Sequence, residues 1–527
     1  MSGELYPVVA AMPDPVAPDA QWRRLSPRML LIHPIREVGR AIPALVGIFF
    51  ASSSSGHSTW SALALIPVVG LSMLRWFTTR YRISPDQLQL RTGLLPRRTM
   101  STPADRVRTV DVTAHALHRA LGLTRVVIGT GISDRKREGL VLDGLTAEAA
   151  GRLRAELLHR LVPAGSAVPA VQPAVQLSVP QLLVAEQRIA ELDPRWVRYA
   201  PFTLSGAVTA LAILGFAWRI IDQTQVSAGD VSAVRSVTDH LRHTPIWLDA
   251  VQLSLGGLLA VTVLSVLGYL LAFWNFRLTR HSGGSLHISR GLITTRATSI
   301  EERRLRGVEL SELLPLRLVG GARLLAVATG LRVGRGAERG GSLLLPASPL
   351  AEARRVSAEV LNDPASPIDL ALQAHGPIAL RRRYVRAVLP AVLVTAGLVW
   401  LASTGRLAGW LAATALLLPV LAVLLARDRY RSLGHARTGR YLHTQFGSLV
   451  RRRVLLQTEG IIGWNLRESF FQRRAGLATL TATTAAGRQS YRVTDLALPI
   501  ALELADAAVP GLLTEFLVHP SDTIHGS

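Results

Sequence analysis

The sequence predicts an α+β membrane protein in which paired transmembrane helices alternate with small antiparallel β domains, each closed by a C-terminal helix. Three observations predict it: six long apolar segments fall into three pairs, each pair is followed by alternating strand-like stretches, and these stretches repeat one another in register. The 527 residues are 49% hydrophobic yet carry a formal net charge of +23, so apolar and charged residues must be segregated along the chain.

The pairs are Ala41–Ser54 with Thr59–Phe77, Ala200–Ile221 with Ile246–Trp274, and Ala387–Ser403 with Leu407–Ala426. A bilayer core takes about 20 apolar residues of helix, which five of the six supply. The first is short and ends in serines, Ser52 to Ser55. The stretch before it, "MSGELYPVVAAMPDPVAPDA", is acidic and proline-rich, so the first span rather than a cleaved leader is expected to direct insertion. With no cysteine in the chain, disulfides, thiol nucleophiles and cysteine metal sites are excluded. The flanks "RWFTTRYR", "NFRLTR", "ALRRRYVR" and "ARDRYRS" are strongly basic, whereas the turns "SSSSGHST" and "STGR" inside the pairs are not. The positive-inside rule then places both termini and every large polar segment in the cytoplasm. Nearly all the positive charge is arginine, since Lys136 is the single lysine.

The repeat begins where each pair ends, at an aromatic-Arg step: Tyr81-Arg82, Phe276-Arg277 and Tyr430-Arg431. A hairpin glycine follows, Gly93, Gly291 or Gly447, after a period-two stretch such as "QLQLRTG" or "SLHISRG". Gly291 lies 198 residues and Gly447 354 residues beyond Gly93, and at the same offsets Arg119, Arg317 and Arg473 share one position and Gly122, Gly320 and Gly476 another. The three glycines of the second set read as turn residues. The three arginines read as structural, through a salt bridge or a cap on a buried carbonyl, in preference to a ligand role. Further strand-like stretches follow, "RVRTVDVT", "TRVVIGTG", "GSLLLPA" and "SYRVTDL", so each copy is expected to form a small antiparallel sheet. A helix then closes each copy. In the second, Ser348 is expected at the N-cap with Pro349 at the first helical position.

The chain divides accordingly into a tail (1–24), a helix pair (25–79), a first β domain (80–162), a Pro/Ala/Gly/Ser-rich linker (163–176) and a second helix pair with a preceding juxtamembrane helix (177–274). A second β domain (275–362), a third helix pair (363–426), a third β domain (427–515) and a tail (516–527) complete it.

Paired spans, an aromatic-Arg step, a strand-Gly-strand hairpin with basic residues beyond its turn, a later R-x-x-G and a closing helix resemble the bacterial pleckstrin-homology-like (PH-like) membrane proteins of the YdbS/YdbT type, in their three-domain form. The resemblance runs from about Leu25 to Leu513. It implies a bent antiparallel sheet plugged by its C-terminal helix, no assigned reaction or cofactor, and a link to envelope stress. The third copy departs from the others: Gly460 stands where they have Arg106 and Arg304, and Thr479 where they have Arg125 and Arg323.

Candidate chemistry centres on the basic hairpins. Arg97, Arg98, Arg296, Arg303, Arg304, Arg451, Arg452 and Arg453 each follow a repeat glycine. Anionic headgroups attract such residues by about 1 kcal/mol each. The same arginines also satisfy the positive-inside rule and solvate a sheet edge, and the residues alone leave both readings open. No catalytic, cofactor or metal residue is expected. "VGRGAERGG", Val333 to Gly341, has Arg339 where a phosphate loop needs its third glycine, and His240 with His243 and Asp239 is too sparse for zinc. The ionisable residues of the spans, Arg75, Arg219 and Asp249, sit at span ends, which argues against an ion-coupled carrier.

The expected function is a non-enzymatic scaffold or lipid-facing interaction module of the bacterial inner membrane, multi-pass, with the PH-like domains cytoplasmic. Its expected partners are membrane lipids, anionic headgroups in particular, and other membrane proteins including a shorter PH-like family member or a second copy. Nucleic acid is not expected, because the basic residues hug the membrane flanks. The competing class is a transporter or channel with the β domains as regulatory collars.

Overall fold

The structure, a computed structural model, describes residues 22–31, 77–84, 87–93, 98–103, 107, 109–129, 140–159, 187–203, 215, 245–281, 284–331, 342–363 and 367–512. The first pair of apolar segments up to residue 76, most of 200–221, the linker, 333–341, and His240 with His243 and Asp239 lie outside them. The chain forms two compact units. The first runs to Val168 without Arg108–Thr113 and Gly131–Arg137, and the second takes those two segments with Pro169–Ser527.

In the first unit, β1 (Arg23–Arg24), β2 (Arg80–Ile83), β3 (Gln87–Thr92) and β4 (Arg98–Pro103) form an antiparallel sheet in that order. The alternation in "QLQL" is realised: Leu88 and Leu90 are buried while Gln87 and Gln89 are only partly so. A single helical turn, α1 (Ala116–Ala120), leads to β6 (Leu123–Gly129) and β7 (Leu140–Thr146), an antiparallel pair covered by α2 (Ala147–His159), while β5 (Thr109–Ala114), which precedes α1 in the chain, belongs to the second unit up to Thr113.

In the second unit, β8 (Gln187–Glu191) and a 3-10 helix (Pro194–Phe202) precede α3 (Ile246–Phe273). The second copy of the repeat follows as β9 (Arg277–His281), β10 (Ser285–Arg290), β11 (Thr295–Glu301), β12 (Leu305–Leu313), α4 (Leu314–Leu318), β13 (Gly321–Ala328), β14 (Leu343–Pro349) and α5 (Leu350–Leu361). The third pair of apolar segments folds as α6 (Gly376–Ser403), α7 (Gly409–Ala415) and α8 (Leu417–Arg431). The last copy comprises β15 (Gly434–Thr438), β16 (Tyr441–Phe446), β17 (Val450–Gln457), β18 (Gly463–Arg467), α9 (Phe470–Arg474), β19 (Leu477–Thr483), β20 (Ser490–Ala497) and α10 (Leu498–Ala508).

Three helices are long and apolar enough to cross a membrane among the described residues: Ser254–Phe273, Gly376–Ser403 and Gly409–Arg431. Leu255, Leu258, Leu259 and Val263 of α3, like Leu389 and Leu393 of α6, are exposed on the protein surface, as lipid-facing positions are.

Each copy is built as two three-stranded halves, and a half does not stay within its own copy. Strand β12 pairs with β13 on one side and with β17 of the following copy on the other, giving the sheet β14-β13-β12-β17-β16-β15. The same junction sets β5 beside β11. One sheet per copy was the expectation from the sequence. Shared sheets are found instead, because a three-stranded half has a raw edge whose N–H and C=O groups are satisfied by the next half.

The repeat glycines do two different things. At Gly291 and Gly447, φ is +106° and +98°, and an added Cβ would lie 2.1 Å from the carbonyl oxygen of Thr294 and of Val450. Only glycine makes that hairpin. Gly122, Gly320 and Gly476 instead end α1, α4 and α9 in the left-handed region. The start of α5 differs from the expectation by one residue. Ser348 and Pro349 are held in β14 by pairing with Ala322 and Gly321, so Pro349 takes the N-cap and Leu350 begins the helix.

Candidate functional site

Every copy has a β-bulge in its last strand, two residues before the strand's end. The register shifts are between Thr124 and Arg125 opposite β7, between Ala322 and Leu324 opposite β14, and between Ala478 and Leu480 opposite β20. The bulge residues are Gly144, Ala347 and Asp495. A bulge re-aims backbone and side chain out of the ladder, and here each receives a residue from the segment that leads to or belongs to a membrane helix. In the first unit, Met29 packs where a Cβ on Gly144 would come within 3.1 Å of it, and the Ser26 N–H donates to the Gly144 carbonyl at 3.1 Å. In the second, the Tyr269 hydroxyl of α3 donates to the Ala347 carbonyl at 2.8 Å. In the third copy, Arg382 and Arg383 of α6 both reach Asp495, Arg383 at 2.6 Å.

Asp495 is 1% exposed and holds a left-handed backbone, φ 61°, which Asp tolerates better than most residues. It also accepts from Gln472 Nε2 at 2.9 Å, and Gln472 is itself fixed by a capping box with Ser469. The other end of the helix pair is tied in the same way. Asp428 of α8 accepts from Arg317 at 2.6 Å and lies 3.6 Å from Arg451, whose Nε donates to Ser432 at 3.0 Å. Arg382 and Arg383 of one basic flank, with Arg317 and Arg451 of the β domains, thus ion-pair the third pair of membrane helices to the sheets.

Beside this joint lies an open cleft of about 540 Å³, lined by Arg354, Asp369, Tyr430, Arg431, Gln445 and Arg453 among others. Arg453 donates from Nε to Gln445 Oε1 at 2.8 Å and from Nη1 to the Ile368 carbonyl at 2.7 Å. Burial lowers its pKa from the usual arginine value. Arg354 pairs with Asp369 at 2.9 Å. Arg431, at the foot of α8, is exposed and has no ion-pair partner among the described residues. Three arginines against one aspartate leave a net positive cleft at the end of a membrane helix, suited to a phosphate-bearing headgroup.

The structure distributes the other basic-hairpin residues differently. Arg97 lies outside the described residues, and of Arg98 only the backbone, in β4, is described. Arg296 pairs with Asp111 at 3.0 Å, and Arg303 and Arg304 share Glu301 at 2.7 and 2.9 Å. Arg452 faces Glu309 at 3.4 Å, and Arg451 pairs with Asp428 as described above. Only Arg453 of the set lines the cleft. Arg317 is bound to Asp428, while Arg119 and Arg473 sit on exposed positions of α1 and α9. Neither Arg354 nor Asp495 stands out in the sequence as a site residue. Arg431 was visible in the aromatic-Arg step, whereas nothing in the local pattern of β20 marks Asp495 as a bulge.

Three histidines are buried nearby. His375 Nδ1 meets the Thr494 carbonyl at 2.9 Å and its Nε2 lies 3.1 Å from His435 Nδ1; His443 is fully buried, with neither ring nitrogen bonded among the described residues. Burial, first of the causes, pushes each pKa from 6.5 down to about 4, helped by Arg383 at His375 and Arg453 at His443. Between these limits the unfolded chain binds protons that the folded chain refuses, so stability is full above pH 6.5 and falls as pH drops toward about 4. Thermal unfolding of the His443→Leu chain is expected to lose less between about pH 7.5 and about pH 5 than wild type does. Equal losses would show that His443 does not contribute.

Compared with known proteins, residues 38–161 and 387–508 match the bacterial PH domain family. The chain is 22% identical over 328 residues to the UPF0699 transmembrane protein YdbT of Bacillus subtilis (strain 168), an alignment that covers 58% of this chain and 63% of that protein. It therefore spans less than two thirds of that relative's length. No solved structure matches. The two family matches fall on the first and third copies, and the copy between them repeats their element order. The chain is a membrane protein with repeated bacterial PH-like domains, and the YdbS/YdbT-type resemblance is supported by both comparisons.

Proposed function

We propose that the chain is a multi-pass protein of the bacterial inner membrane, with its termini and three PH-like domains cytoplasmic, acting without catalysis as a lipid-facing scaffold in envelope maintenance. The observation that carries the lipid-facing part is the net positive cleft at the foot of α8, with Arg431 on its rim without an ion-pair partner among the described residues and Arg354 and Arg453 within. A headgroup phosphate there gains charge-assisted hydrogen bonds beside the acyl region it belongs to. The scaffold part is supported by the joints that tie α3 and α6 to the sheets, through Tyr269 on Ala347 and through Arg382 and Arg383 on Asp495. Partners in the membrane, a shorter PH-like protein or another copy, would then be held at a set position.

The test uses the full-length chain in nanodiscs of mixed anionic phosphatidylglycerol and neutral phosphatidylcholine, with bound lipid counted by native mass spectrometry. Anionic lipid is expected to be enriched, and Arg431→Gln to reduce that enrichment by roughly fivefold, the equivalent of about 1 kcal/mol. No preference for the anionic lipid in the wild-type chain would sink the lipid-facing part.

A further inference from the structure

The two junctions between consecutive copies use the same residues of the repeat. Asp111 in β5 accepts from Arg296 Nη2 at 3.0 Å and from Thr298 Oγ1 at 2.6 Å. Glu309 in β12 lies 3.4 Å from Arg452 in β17. Asp111 and Glu309 stand one repeat offset apart, 198 residues, and Arg296 and Arg452 are likewise equivalent. Three copies joined in series have two junctions and, among the described residues, leave two edges without a paired strand. One is the outer edge of β4, last in the sheet β1-β2-β3-β4; the other is β18, first in the sheet β18-β19-β20.

These edges carry the residues of a junction without its partner. Leu310 is 2% exposed in β12, and Leu466, its equivalent in β18, is 41% exposed. Val454 and Thr298 are 0% and 4% exposed in β17 and β11, and Met100, their equivalent in β4, is 42% exposed. Trp464, at the position of the fully buried Val308, has a buried indole N–H with no hydrogen-bond partner among the described residues. Unprotected edges of this kind template pairing with another chain.

We propose that the edge of β18 in one copy of this chain pairs antiparallel with the edge of β4 in a second copy, through the junction that joins β12 to β17. The register of that junction, Gly307 opposite Leu456 and Glu309 opposite Val454, transfers to Gly463 opposite Thr102 and Asn465 opposite Met100. Arg98 then stands where Arg296 and Arg452 do, and Asn465 takes the place of Asp111 and Glu309. Asparagine accepts a hydrogen bond from arginine but brings no charge, so this junction is a weaker version of the internal ones and forms and opens where they stay closed. The contact is heterologous: it propagates head to tail and closes into a ring or runs on as a row in the membrane plane. It does not depend on the lipid contact proposed above.

The chain has no cysteine, so introduced thiols report on this pairing alone. Full-length chains carrying Met100→Cys under one tag and Asn465→Cys under another are coexpressed and oxidised in their native membranes. A disulfide between the two tags is expected, and severalfold less when Arg467→Cys replaces Asn465→Cys, because it lies two residues out of register. No mixed dimer, or equal yields from both pairs, overturns the proposal. In a second measurement, the mass distribution of the cysteine-free chain in nanodiscs is expected to shift toward single chains with Asn465→Arg and to recover with Asn465→Arg combined with Arg98→Glu. A distribution that Asn465→Arg leaves unchanged also overturns it.

Discussion

Asp495→Ala is expected to cost about 3–5 kcal/mol of stability, the range found when one member of a buried ion pair is removed. Arg382 and Arg383 would be left at the base of α6 without their counter-charge, and Gln472 without one of its two acceptors. The substitution also puts alanine in a left-handed conformation that aspartate bears more easily. Asp495→Asn separates the contributions, since it keeps the backbone tolerance and an acceptor for Gln472 but loses the charge. It is expected to fall between wild type and Asp495→Ala in thermal unfolding of the detergent-solubilised chain. An Asp495→Ala chain as stable as wild type would mean that α6 is not held to its sheet by this cluster.

Gly307→Ala is expected to open the junction between β12 and β17. An added Cβ would sit 1.9 Å from the Leu455 carbonyl oxygen, a backbone atom that cannot step aside, at φ +151°. The strain is on the order of 1–3 kcal/mol before any loss of ladder hydrogen bonds. Hydrogen exchange in 305–313 and 450–457 is expected to accelerate, while β19 and β20 keep their protection. Gly463→Ala supplies the control within the same chain. Gly463 holds the equivalent place in β18, where a Cβ would meet only the Thr483 hydroxyl at 3.3 Å, so a small effect is expected. Equal effects at the two glycines would contradict the assignment of Gly307 to a closed junction and Gly463 to an open edge.

Much of this architecture was legible in the sequence because its signals are periodic. Alternation in "QLQLRT" and "SLHISR" became β3 and β10 with their leucines and isoleucine inward, and the spacing that equates Arg119, Arg317 and Arg473 places each at the fourth residue of a single helical turn. Three of the six apolar segments coincide with helices of spanning length, and the first pair lies outside the described residues. What could not be read is non-local. Alternation says which face of β12 is buried but not that its free side will be taken by β17, 137 residues later by their facing residues Leu313 and Val450. Nor does a bulge announce itself: "SYRVTDLA" alternates well enough, and Asp495 resembles a solvated residue until Arg382 and Arg383 are brought to it from α6. The arginines of the flanks carry the same letter whether they mark topology, lock a helix to a sheet or line a cleft. Only their partners, Asp428, Asp495 and Glu309, tell these uses apart.

The measurement that bears most directly on a membrane scaffold with its PH-like domains on one side is thiol labelling in intact cells. Single cysteines are placed at Arg406, in the exposed turn between α6 and α7, and at Thr438, the exposed last residue of β15. A membrane-impermeant maleimide is expected to label the Arg406→Cys chain in intact cells and the Thr438→Cys chain only after permeabilisation. Labelling of Thr438→Cys from outside, or of both sites alike, would contradict it.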